Sequence, residues 1–164
     1  MTQLAVSAAL TTSSIAAPTK SADSFDGYAG LQLRNAITKV KDFDKKWKLV
    51  AGDTDTKSTH YIFQASPSPA FHGVKVDKLV VLVSKRMQIV VGFALSLVGD
   101  RCVAIKKALD AEWGPAMDIG GKNHEVEWEG KRVDASVELD GPNACFVFVT
   151  DRGWNDETDE LKNR

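Results

Sequence analysis

The sequence is poor in the residues that build the commonest small catalytic and structural sites. It has two cysteines, Cys102 and Cys145, in 164 residues, too few for a disulfide-dense scaffold and too sparse for zinc held by paired cysteines. Its three histidines, His60, His72 and His124, stand singly and form no spaced metal motif. No apolar run approaches the roughly 20 residues that span a bilayer. The longest, residues 79–83 and 89–98, are of strand length or are interrupted by Gly92 and Ser96, so no membrane span is expected. Charge of one sign is also lacking: 21 Lys plus Arg face 22 Asp plus Glu, a balance that disfavours nucleic acid as the partner.

What is present fits an ordinary globular chain. The hydrophobic fraction of 43% and charged fraction of 26% exclude disordered and collagen-like classes. A chain of this length buries roughly 70% of its unfolded surface, so one domain can fold without metal. Residues 1–27 are dominated by Ala, Ser and Thr without an apolar period, which reads as a flexible arm or a signal-like segment. Residues 4–10 would serve as a short apolar region and Ser14-Ile15-Ala16 as a cleavage site, but no Lys or Arg precedes Lys20. Location follows from that choice: periplasmic or secreted if the segment is a signal peptide, cytoplasmic otherwise. Residues 28–150 then form a single domain, and 151–164 a polar C-terminal tail.

Within the domain, Leu33, Ile37, Val40, Phe43 and Trp47 recur every three or four positions, predicting one long amphipathic helix. Its outer face would carry Lys39, Lys41, Lys45 and Lys46 with Asp42 and Asp44, a mixed solvated surface in preference to a patch that docks anions. A hairpin is expected from about Trp47 to Ala65, with Tyr61 and Phe63 alternating against His60 and Ile62, and Ser66-Pro67-Ser68-Pro69 as a loop. Residues 74–83 and 88–98 read as two long strands of one hairpin, apolar enough to be covered on both faces. The clearest helix runs from Asp100 to Gly114-Pro115, with Cys102, Ile105, Leu109 and Trp113 inward. A meander follows: strands around Val126 and Trp128, then Val133 to Leu139, then Ala144 to Thr150.

The expected class is α+β in two layers: an antiparallel sheet of about six or seven strands with two main helices, in the order α-β-β-β-β-α-β-β-β. Each half reads as helix then meander, an order that would fit a tandem duplication, although no residue pattern aligns between the halves. With Cys102 on the helix and Cys145 on a strand beneath it, the two could be neighbours. Two reduced, buried thiols are expected in preference to a bridge, because few helix-on-sheet pairs meet disulfide geometry.

No nucleophile, base or metal set stands out. Strand alternation sends Glu125 away from His124. Asp53-Thr54-Asp55 begins like a calcium loop, but Lys57, Ser58 and Gln64 occupy positions that need a ligand, Gly and Glu. Gly120-Gly121-Lys122 lacks the rest of a phosphate loop. No catalytic residue, metal ligand or cofactor is therefore assigned. Two surfaces remain. Glu125, Glu127, Glu129, Asp134 and Glu138 would share the outward face of neighbouring strands, where they could steer a cationic partner or merely solvate the sheet. Phe71 and His72, beside two prolines, would be displayed by a loop unless Phe71 folds back over the core. The resulting expectation is a non-enzymatic protein-binding module, an exported inhibitor, immunity or accessory protein. The alternative is a small-molecule binder or enzyme with a cleft between helix and sheet lined by Trp47, Trp113 or Trp128.

Overall fold

A computed structural model describes residues 20–52, 55–120 and 124–154. A small hairpin, β1 (Gly27–Tyr28) and β2 (Leu31–Gln32), precedes a single helical turn, α1 (Phe43–Lys46). The main sheet contains β3 (Trp47–Leu49), β4 (Ser58–Phe63), β5 (Lys78–Ser84), β6 (Val90–Val98), β7 (Met117–Gly120), β8 (Glu125–Glu129), β9 (Val133–Leu139) and β10 (Ala144–Asp151). The long helix α2 (Asp100–Trp113) connects β6 to β7. The eight strands run in the order β3-β4-β5-β6-β10-β9-β8-β7, every neighbouring pair antiparallel. The class is thus α+β with an antiparallel sheet, wider than the six or seven strands expected. Both halves are four-stranded meanders whose last strands, β6 and β10, pair at the centre.

Alternation along each strand sends one set of side chains to a covered face and the other to an open one. Leu79, Val81, Val83, Phe93, Leu95, Leu97, Val147 and Val149 point into a single core. Helix α2 adds Cys102, Ile105, Leu109 and Trp113 to it, as its spacing predicts. Gly114, at φ 95°, ends the helix in a conformation that favours glycine. The expectation that β5 and β6 are covered on both faces does not hold. Val80, Leu82 and Ala94 are only half-buried, because among the described residues the core packs against the other side of these strands.

The long helix expected from Leu33 to Trp47 does not form. Arg34 and Asp42 adopt left-handed backbone conformations, φ 66° and 58°, which interrupt any helix. Between them the backbone pairs elsewhere: Arg34 N–H donates to Val90 O at 2.8 Å, Ile37 N–H to Gln88 O at 3.2 Å, and Asn35 O accepts from Val90 N–H at 3.0 Å. The helical spacing is instead shared out among β2, a 3₁₀ turn at Ile37–Lys39, α1 and β3. Phe43 and Trp47 still reach the core, stacked with ring centroids 6.0 Å apart. Arg34 reaches across to the buried carboxylate of Asp151 at the end of β10, bonding it through both Nε and Nη2.

Packed structure also begins earlier than residue 28. Ala22 and Phe25 are core residues. The Asp23 carboxylate accepts from the backbone N–H groups of Lys131, Arg132 and Val133 at 2.9, 2.6 and 3.2 Å, tying this segment to the β8–β9 turn. Those N–H bonds, the one from Lys131 first, hold the Asp23 carboxyl below its usual value. Of the arm and tail expected at the two ends, residues 1–19 and 155–164 lie outside the described residues, as do Gly121 and Lys122. The close approach of Asp23 explains Gly130: a Cβ there would lie 2.5 Å from both Asp23 Oδ1 and Val133 O. Gly130→Ala should therefore destabilise by about 1 to 3 kcal/mol through overpacking. Urea denaturation checks this, and an unchanged midpoint would show that the turn relaxes freely.

The expectation of two reduced thiols is overturned. Cys102, in the first turn of α2, is bonded to Cys145 of β10, with Cα atoms 5.9 Å apart. Helix α2 starts directly after β6, and β10 is the strand paired with β6, so connectivity itself sets the helix start over Cys145.

Candidate functional site: the open face of the sheet

The sheet face opposite α2 gathers residues that are distant in sequence. On β8 and β9 the carboxylates assemble as alternation requires, with Glu129 opposite Asp134 and Glu127 opposite Ser136. The next strand continues the row: Glu138 stands opposite Phe146, Ser136 opposite Phe148, and Asp134 opposite Thr150. Beyond β10 lie Ser96 and Ala94, then Lys78, Val80 and Leu82, then Ile62 and His60. An acidic flank therefore passes into an apolar centre made by Phe146, Phe148, Ala94, Val80 and Leu82. Phe146 is 36% exposed and Val98, at the end of the same face, 46%. The Phe146 and Phe148 rings sit 6.3 Å apart.

The electrostatics of the flank carry the imprint of crowding. Burial first, then Asp134, Glu129 and Glu125, push the Glu127 carboxyl above its usual value, with Arg152 acting against them. Glu138 is raised by burial and by Glu125. Arg152 provides partial compensation, its Nη1 lying 3.7 Å from Asp134 Oδ1 and donating to Gly130 O at 2.7 Å. Elevated folded pKa values mean that the folded chain binds protons more tightly than the unfolded chain, so these two groups favour folding more as pH falls towards their unfolded pKa. The opposite holds for Asp55. Burial alone would raise its carboxyl, but the N–H groups of Lys57 and Ser58, the Ser58 hydroxyl and His60 together hold it down at about 2. Its contribution is complete above its unfolded pKa and is lost as pH falls towards 2. Thermal stability is therefore expected to rise on mild acidification before declining. Glu127→Gln with Glu138→Gln should remove the rise and increase stability at pH 7. A double variant that keeps the wild-type pH profile would remove these two carboxylates as its source.

Phe71 and His72 do not join this face. Phe71 is 2% exposed and plugs the core layer edge-on against Phe25 and Tyr28, at 5.9 and 5.0 Å between ring centroids. It is not displayed by its loop. His72 lies over Trp113, rings 5.2 Å apart, with Nδ1 2.6 Å from Glu112 Oε2. Trp113 packs edge-on against Trp128 at 6.2 Å, and Trp128 Nε1 donates to Gly114 O at 2.8 Å, while Trp47 borders a separate groove beside the β1–β2 hairpin.

One grouping escaped the sequence reading. Ser58 Oγ lies 2.7 Å from Asp55 Oδ2 and 2.9 Å from His60 Nε2. The signal was Ser and His two apart on a strand, hence on one face, just after an Asp-containing turn. The geometry is not that of a hydrolytic triad. Such a triad needs the carboxylate on the imidazole nitrogen remote from the hydroxyl, whereas here Asp55 Oδ2 lies 3.4 Å from the same Nε2 that meets Ser58. Ser58 is also fully buried, at 0% exposure. The trio braces the start of β4. Among the described residues no three His, Cys, Asp or Glu side chains are placed to hold a metal ion, and no helix is long and apolar enough to cross a membrane. No family model matches the chain, and no curated protein or solved structure matches it either.

Proposed function

We propose that the chain is a protein-binding module whose open sheet face docks a partner surface with an apolar centre and basic flanks. The observation that carries this reading is the register that runs Glu127, Glu129, Asp134 and Glu138 in rows towards the half-exposed Phe146 and Phe148. An exposed apolar patch rimmed by charge is the composition of a contact surface. The crowded carboxylates of Glu127 and Glu138 stand to gain from an incoming cation, which would offset the repulsion from Asp134, Glu129 and Glu125 on the first and from Glu125 on the second. The Cys102–Cys145 bridge supports an exported accessory, inhibitor or immunity role, since such bonds persist in oxidising compartments.

The test is a matched set of amphipathic peptides with the same apolar spacing and either lysines or glutamates on the flanks. Surface plasmon resonance should show binding of the lysine peptide alone, weakening with salt. Phe146→Asp and the pair Glu127→Lys, Glu138→Lys should each reduce it about tenfold or more, a loss of about 1.4 kcal/mol. Equal binding of both peptides, or variants that bind like the wild type, would sink the assignment.

A further inference from the structure

The loss of the expected helix from Leu33 to Trp47 has a chemical result on the other side of the molecule. Lysines that would have been spread over a solvated helix face are drawn instead around a groove of about 740 Å3, between the β1–β2 hairpin and residues 35–47. Lys39, Lys41 and Lys46 line it beside the half-buried Tyr28 and Val40, with the buried Leu31, Phe43 and Trp47 packed beneath. The volume falls within the roughly 300 to 1,000 Å3 of small-molecule sites, which are typically apolar with a few placed polar groups. One carboxylate, Asp26, also lines the groove, so its charge is net positive.

These lysines differ from their neighbours in how they are satisfied. Lys45 is paired with Asp42 at 2.7 Å and Lys106 with Asp110 at 2.6 Å. Lys39, Lys41 and Lys46 form no ion pair among the described residues. Asn35 Nδ2 donates to Gln32 Oε1 at 2.6 Å on the same wall, and this occupies the Gln32 acceptor while its amide N–H groups remain to donate. Unpaired cations and donors beside the half-buried Tyr28 and Val40 are complementary to a ligand with a negative head and a compact apolar body. A polyanion fits poorly, because the formal charge of the whole chain is -1 and the acidic face opposes approach.

We propose that this groove binds a small organic anion, a carboxylate carried on an aromatic or similarly compact apolar body. The site is independent of the open sheet face, from which it is separated by the sheet itself. The probes are 2-naphthoate and its charge-reversed counterpart 2-naphthylmethylammonium, titrated into the full chain by calorimetry and by amide NMR shifts. Naphthoate should bind one-to-one, weaken as salt is added, and shift amides within residues 26–47, whereas the ammonium compound should do none of these. Substituting Lys39, Lys41 and Lys46 together by Gln should lower naphthoate affinity at least tenfold with the melting temperature unchanged, and Phe146→Asp on the opposite face should leave it unaltered. The proposal is overturned by any of three results: no saturable shift in residues 26–47 of the wild-type chain at about 1 mM naphthoate, a weak-affinity limit; equal binding of the two probes; or a folded triple-Gln variant that binds as before. Because the shift mapping uses the unmodified chain, a poorly folded variant does not remove the test.

Discussion

Replacing Cys102 and Cys145 together by Ala is expected to destabilise the chain by about 4 kcal/mol, the chain-entropy value for a loop of this size. The bridge spans 43 positions of sequence and closes a loop containing α2, β7, β8 and β9. In the unfolded chain it removes conformations that the reduced chain would explore, and in the folded chain it pins the first turn of α2 to a central strand. For a protein of this length such a loss lowers the melting temperature on the order of 10 °C. Calorimetry of the double variant beside the oxidised wild type measures it. Thiol titration adds a second readout: the denatured, unreduced wild type should offer no reactive thiol, and the reduced denatured chain two. Labelling of thiols before reduction, or a double variant within a degree or two of the wild type, would contradict a structural bridge.

Trp113→Ala carries the other large expected effect, about 3 to 5 kcal/mol. The ring ends α2 and is met edge-on by Phe25 at 6.5 Å, His72 at 5.2 Å and Trp128 at 6.2 Å between centroids. Removing it opens a cavity where the segment around Phe25, the loop carrying Phe71 and the meander converge, and none of the three can close it alone. The indole Nε1 is buried with no hydrogen-bond partner among the described residues. Trp113→Phe, which keeps most of the ring volume and discards that unsatisfied N–H, should therefore cost under about 1.5 kcal/mol. Urea midpoints of the two variants separate packing from polarity. A Phe variant as damaged as the Ala variant would show that the N–H is satisfied after all.

The acidic flank of the open face was legible because it depends on strand alternation and short turns. Glu125, Glu127 and Glu129 share a face on any extended β8, and the turn at Gly130 brings Asp134 opposite Glu129. Its continuation into Phe146, Ala94 and Val80 was not legible, since it depends on β10 returning to pair with both β9 and β6. The basic groove was hidden for a different reason. Spacings of three and four describe a helix, but they are equally satisfied when separate short elements each send one side chain to the same core.

Local chemistry settled what could be settled locally. Apolar spacing between Asp100 and a Gly-Pro stop specified α2, β-branched runs specified β5 and β6, and alternation specified β8 to β10. Helix α2 satisfies its backbone bonds within itself, and each of these strands pairs along one edge with a strand next to it in sequence, so nearby residues carry enough information to specify the element. Residues 33–47 do not. The backbone groups of Arg34, Asn35 and Ile37 find partners at residues 88–90, and the Arg34 side chain finds its carboxylate at Asp151. The same is true of Asp23 with the turn at residues 131–133, and of Cys102 with Cys145. Wherever a polar group or thiol is satisfied by a residue tens of positions away, only the tertiary structure decides the partner, because spacing carries no information about which distant surface the fold will present.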